Sequence, residues 1–108
     1  MLKDSGISPR NQMVDIDKLI HEPARYNIVA HLYVVKSADA LSLQRQTKLS
    51  WGNLSSHLSK LEKADYVAVK KEFIGRKPHT MLYLTDEGRT AFNKYRKGMK
   101  RVLKNSPV

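Results

Sequence analysis

Apolar residues recur along this chain with two different periods, and the change of period divides it. Through HEPARYNIVAHLYVVKS, Ala24, Ile28, Leu32 and Val35 return every three or four residues, the spacing that puts side chains on one face of a helix. Pro23 suits the first position of that helix, where its missing N–H would have no partner anyway. Upstream, Ile16, Leu19 and Ile20 predict a helix of about two turns, capped by Asp15 and ended before Pro23. Residues 1–13 are polar, contain Gly6 and Pro9 and show no period, so a loose arm is expected before a folded unit that begins near Val14.

Further along, Leu41 and Leu43 flank Ser42 in a piece that reads as a lone strand or as the start of a short polar helix reaching Leu49. Ser50 then caps a helix over 51–64, whose Leu54, Leu58 and Leu61 face inward. Its opposite side carries Gly52, Ser56, Ser59 and Lys63, with Asn53, Ser55 and Lys60 at the margins. From Tyr66 the period becomes two: Val67, Val69, Lys71 and Phe73 share one face of a strand, and Thr80, Leu82 and Leu84 one face of the next. GRKP joins the two as a hairpin tip, Gly75 permitting the turn and Pro78 stiffening it.

Thr85, Asp86 and Glu87 open a final helix over 86–104, because the hydroxyl can cap and the carboxylates meet the positive end of the dipole. In it Phe92, Tyr95, Met99, Val102 and Leu103 form an apolar seam, and Lys94, Arg96, Lys97, Lys100, Arg101 and Lys104 occupy much of the rest. So long a seam on so small a domain implies a partner helix, most simply from a second copy in a two-fold dimer. Ile16 and Leu19 are assigned to the same dimer interface.

Composition narrows what such a chain does. Its 108 residues, 41% of them hydrophobic, suit one domain with a modest core. Lysine and arginine outnumber aspartate and glutamate 20 to 10, and a net charge of +10 draws the chain to polyanions. With no cysteine, disulfides, thiolate zinc sites and a cysteine nucleophile are excluded. His21, His31, His57 and His79 lack ligand spacing, so no structural metal and no cofactor are expected. There is no glycine-rich phosphate loop, HExxH helix or serine elbow, and Asp86 with Glu87 is explained as a helix start, so the expectation is not an enzyme. His57, at the border of the buried stripe, packs or makes one hydrogen bond, and Trp51 anchors its helix by packing. MLKDSGISPRNQ has no signal-like apolar run and residues 28–35 are far below spanning length, which implies a cytoplasmic protein, or a nuclear one in a eukaryote.

The segment LSLQRQTKLSWGNLSSHLSKLEKADYVAVKKEFIGRKPHTMLYLTDEGRTAF resembles the winged-helix transcription regulators of the MarR and ArsR type, particularly their small single-domain members. Within it, SWGNLSSHLSKLEKADYV is similar to a recognition helix and first wing strand, and GRKPHTMLYLTDEGR to a wing, second wing strand and start of the dimer helix. The resemblance covers residues 15–103 or so and implies an α+β, mainly α fold: a winged helix-turn-helix with a β-hairpin wing and a long C-terminal dimerisation helix. It implies a homodimeric, sequence-specific regulator of transcription on double-stranded DNA, with repression the commoner expectation. It also suggests a ligand crevice near Tyr26, Tyr33 and Tyr95, although aromatic residues at helical spacing are more often plain core.

The candidate contacts follow. A helix entering the major groove must be narrow and rich in hydrogen-bonding groups on its outer side, as Gly52, Asn53, Ser55, Ser56 and Ser59 are. Lys60 and Lys63 can hold flanking phosphates, as can Gln44, Arg45 and Gln46 of the preceding helix. Arg76, Lys77 and His79 of the wing, residues 75–79, reach an adjacent minor groove or its phosphates. Two alternatives remain: a sequence-independent architectural protein held by charge alone, and a winged helix serving as a protein-interaction module.

Overall fold

The computed structural model describes residues 16–105; the expected arm over 1–13 and the Asp15 cap lie outside them. The chain order is α1 (Pro23–Val35), β1 (Ser37–Asp39), α2 (Ala40–Thr47), α3 (Trp51–Lys63), β2 (Val67–Ile74), β3 (Lys77–Leu84) and α4 (Asp86–Asn105). The sheet is antiparallel with order β1-β3-β2.

One expectation near the start needs correction. The helix of about two turns before Pro23 is a single turn. Asp17 Oδ1 accepts the N–H groups of Leu19 and Ile20, and His21 N–H donates to the Asp17 carbonyl. The turn thus starts only at Asp17, and Pro23 holds Glu22 in extended geometry (φ −78°, ψ 131°), so one turn fits between them. Glu22 instead caps α1, its Oε1 accepting the Arg25 N–H at 2.9 Å, and this bond holds its carboxyl below the ordinary glutamate range. Of the two readings open for LSL, the helical one is found. The strand is Ser37–Asp39, and Asp39 caps α2 by accepting the Leu41 N–H at 2.7 Å, so Leu41 and Leu43 are helical.

α1 is the post around which the domain is built. Ile28, Val29 and Leu32 are buried against α2, α3 and the sheet, whereas Val35, expected in the core, is 44% exposed in the last turn. On the other side of α1, Tyr26 and Tyr33 meet Phe92 and Tyr95 of α4 with ring centroids 5.0–5.8 Å apart. Each such pair contributes about 0.5–1.5 kcal/mol beyond the area it buries. This cluster corrects the reading of the α4 seam: Phe92 and Tyr95 are buried in the chain's own core, and Ile16, Leu19 and Met99 are half-buried against it. The seam exposed outside that core is confined to the last turns, where Leu103 is 72% and Val102 37% exposed.

The hairpin follows the expected alternation. Val67 pairs with Leu84, Val69 with Leu82, Lys71 with Thr80 and Phe73 with Pro78, so all eight lie on one face. Gly75 (φ +66°) is the only described residue of the two-residue Gly75-Arg76 turn with positive φ, the pattern of a type II′ hairpin turn.

The end of α3, the start of β2 and the start of α4 are locked at Tyr66. Its N–H donates to the Leu61 carbonyl, its carbonyl accepts the Thr85 N–H at 3.0 Å, and its hydroxyl donates to Asp17 Oδ2 at 2.6 Å. Burial and that carboxylate push the phenol up to about 12. Thr85 Oγ1 donates to the Asp65 carbonyl and accepts the Gly88 N–H. Gly88 lies so close that a Cβ there would sit 2.2 Å from the Tyr66 carbonyl oxygen and 2.7 Å from Leu84 Cδ1. Backbone cannot step aside as a side chain can, so Gly88→Ala is expected to lower unfolding free energy by about 1–3 kcal/mol or more in urea titration. A loss below about 0.5 kcal/mol, the scatter of neutral surface changes, would contradict this contact.

Candidate nucleic-acid interface

α2, a three-residue turn and α3 form the head of the molecule. Lys48 adopts left-handed geometry (φ 59°) and ends α2, after which Ser50 caps α3 by accepting the Asn53 N–H at 3.1 Å. Leu43, Leu54 and Leu61 are buried beneath, which fixes the rotation of α3. Gly52, Asn53, Ser55, Ser56, Ser59, Lys60 and Lys63 are therefore all exposed, and their side chains make no hydrogen bond among the described residues. A Cβ at Gly52 would meet nothing within 4 Å. The fold does not require glycine there; its effect is to keep the outer surface of α3 low.

Arg45 and Gln46 are exposed on α2, and Arg76 and Lys77 on the hairpin. Two assigned residues turn inward. Gln44 is half-buried and its Nε2 donates to the Leu49 carbonyl at 2.9 Å, bracing the turn between the helices. His79, also half-buried, binds Asp39 Oδ2 through Nδ1 and so ties β3 to the cap of α2 instead of standing at the wing tip. Lys48, Lys70 and Lys71, outside the expected contacts, are also exposed, and their position in the turn and on the first wing strand is the signal that marks them. Trp51, expected to anchor by packing, is 53% exposed, at the edge of a groove of about 430 Å³ between α3 and the sheet.

Behind the head, Arg25 holds three elements together. Its Nε donates to the Leu19 carbonyl at 2.7 Å and its guanidinium lies 3.1 Å from His57 Nδ1 on α3. Because a guanidinium only donates, His57 Nδ1 accepts and the ring proton sits on Nε2. Among the described residues the basic side chains in contact with carboxylates are both histidines, His57 beside Glu22 and His79 on Asp39, so no lysine or arginine is paired with a carboxylate. The positive charge is left for a partner.

At the other end, His21, Tyr26, Tyr95, Met99 and Leu103 line a groove of about 460 Å³ beside α4. Tyr33 does not join Tyr26 and Tyr95 there. Its hydroxyl donates to Asn93 at 2.7 Å, and the Arg89 and Arg96 guanidiniums lie 4.8 and 5.6 Å from its ring. No described helix is long and apolar enough to cross a membrane.

A helix-turn-helix followed by a hairpin and packed on a first helix is the winged helix arrangement, and residues 24–103 match the model of the winged helix DNA-binding domain. The chain belongs to that family. An uncharacterized protein of Methanocaldococcus jannaschii is 35% identical over 78 residues, 72% of this chain and 85% of that protein. A transcriptional regulator homologue from Pyrococcus horikoshii OT3 superposes with a TM-score of 0.75 at 28% identity, covering 80% of this chain and 85% of the other. NadR, solved in complex with 4-hydroxyphenylacetate, shares the fold (TM-score 0.67, 21% identity), with 81% of this chain and 61% of that chain covered. This is a winged helix DNA-binding domain of the kind found in transcriptional regulators.

The Asp39 bridge has a pH signature. Chiefly through its bond to His79, and also by accepting the Leu41 N–H, its carboxyl is held below the ordinary 3.8. A carboxylate with depressed folded pKa adds stability that is complete above 3.8 and disappears as pH falls through its folded value. Asp39→Asn should therefore be less stable than wild type in neutral buffer, with the gap closing below pH 3.8, as read from urea midpoints. A gap that stays constant with pH would show that the charge adds nothing.

Proposed function

We propose that this chain is a sequence-specific regulator of transcription that binds duplex DNA as a homodimer, with α3 in the major groove and the hairpin on the adjacent minor groove or backbone. The observation that carries this reading is the outer face of α3: small side chains with unused hydrogen-bonding groups, bordered by unpaired cations. Base edges in the major groove are read by such groups at close approach, while Lys60, Lys63 and Arg45 hold phosphates and fix register. The exposed end of the α4 seam supports a second copy as partner. Two recognition helices would then meet successive major grooves, about 34 Å apart, on a partly palindromic site. Occupancy over a promoter would exclude polymerase, hence repression.

The test is selection of bound fragments from genomic DNA with purified protein. An enriched, partly palindromic motif preferred over random DNA by about 10³ or more is expected. Absence of any motif would instead favour the charge-driven architectural reading that the +10 charge also permits. On the selected site, Asn53→Ala should reduce discrimination between sequences, whereas Lys63→Ala should weaken all sequences alike and lower the salt slope by about 1. Equal loss on every sequence from both changes contradicts the assigned roles. Leu103→Glu places charge in the exposed seam and should lower the sedimentation mass towards that of a monomer; an unchanged mass would remove α4 from the interface.

A further inference from the structure

We infer that Phe73 is an apolar wedge at the tip of the wing, which enters the minor groove, opens one base step and bends the duplex. The inference deepens the DNA-binding reading above and rests on it. It begins with where the hairpin leaves the core. On the face shared by Val67, Val69, Lys71 and Phe73, Val67 is buried and Val69 half-buried beside the groove it lines with α3. Phe73 lies six residues beyond Val67, about 20 Å along the strand, and is 76% exposed. Its neighbour Ile74, on the opposite face, is 54% exposed. Two large apolar side chains thus stand against water at the one place in the hairpin that its own core does not reach.

The surroundings say what covers them. Lys71, Arg76 and Lys77 are exposed around the pair, and among the described residues no carboxylate is paired with any of them, while Lys70 lies over the Tyr83 ring nearer the base of the hairpin. Glu72, the acidic residue of the hairpin, is engaged: Tyr83 donates its hydroxyl to Oε2 at 2.5 Å. The partner is therefore a polyanion that also offers an apolar slot. A minor groove fits both demands, since cations sit along its phosphates and bulky apolar side chains insert between stacked bases. The tip has the build for it. A two-residue turn keeps it narrow, and Pro78 opposite Phe73 stiffens it. Proline is tolerated there because β1 pairs only as far as Met81, so the second edge of β3 is open at that point. Steps of the pyrimidine-purine type, which unstack most easily, should lie under the tip.

The test uses the full chain and duplexes carrying the selected motif at permuted positions, with 2-aminopurine placed at successive steps. The wild-type complex should migrate as bent by about 20–90°, with raised 2-aminopurine fluorescence at one step on each flank. Phe73→Ala should return both signals to those of the free duplex, and Phe73→Leu should keep most of the bend. Phe73 is exposed, so both variants should melt at the wild-type temperature. A bend and fluorescence unchanged in Phe73→Ala overturn the wedge, as does loss of self-association in place of bending, which would make Phe73 a contact between copies. A straight but sequence-specific complex overturns the wedge alone; a protein that retards no duplex overturns the DNA-binding reading with it.

Discussion

The approach of Gly88 to the Tyr66 carbonyl is the contact on which the working geometry depends. Three elements meet there: α3, which presents the exposed face of small polar side chains, the hairpin, which leaves from the same turn, and α4, which departs towards the far end. Thr85 closes the junction by using its backbone N–H and its hydroxyl on two successive carbonyls, those of Tyr66 and Asp65. Asp65 accepts a left-handed conformation (φ 62°) to make this possible. Both acceptors are backbone carbonyls, so the junction between head and C-terminal helix is held on main-chain groups, with the short Thr85 side chain closing it. Tyr66 extends the lock to Asp17 and so to the turn before α1.

Around that junction charge and apolar surface are sorted to different places. The core is joined across α1, with leucine and isoleucine towards the head and aromatic rings towards α4. Cations populate the head, the hairpin and the last turns of α4, and four carboxylates are spent on caps and internal bonds: Asp39 and Glu22 on helix starts, Asp17 on a turn and Tyr66, Glu72 on Tyr83; the exposed Glu62, Asp65, Asp86 and Glu87 leave a large positive excess. Such a distribution costs the free protein self-repulsion and gives affinity for a polyanion in return.

Much of this was legible in the residues. The inward leucines of α3, the outward serines, the alternation of the hairpin and the acidic start of α4 depend on local spacing, and each lies where spacing puts it. What was not legible depended on contacts between distant positions. Phe92 and Tyr95 read as interface because a helix seam does not say which helix covers it; Tyr26 and Tyr33 of the same chain do. Gln44 and His79 read as contacts because a polar side chain does not announce its partner, and these two have internal ones. The helix before Pro23 was overestimated because Asp17, two residues inside the proposed helix, competes for its first N–H groups. Nothing near Gly88 in the sequence marks it as required, because the reason lies 22 residues away at Tyr66.

The central claim is that α3 lies in the major groove while the hairpin lies on the flanking minor groove. Chemical footprinting of the selected duplex, with methylation of guanine N7 for the major groove and hydroxyl-radical cleavage for the minor groove, tests it most directly. Two patches of N7 protection about 34 Å apart are expected, each with hydroxyl-radical protection displaced to its outer side. N7 reactivity unchanged across the whole footprint, or uniform protection without these patches, would contradict it.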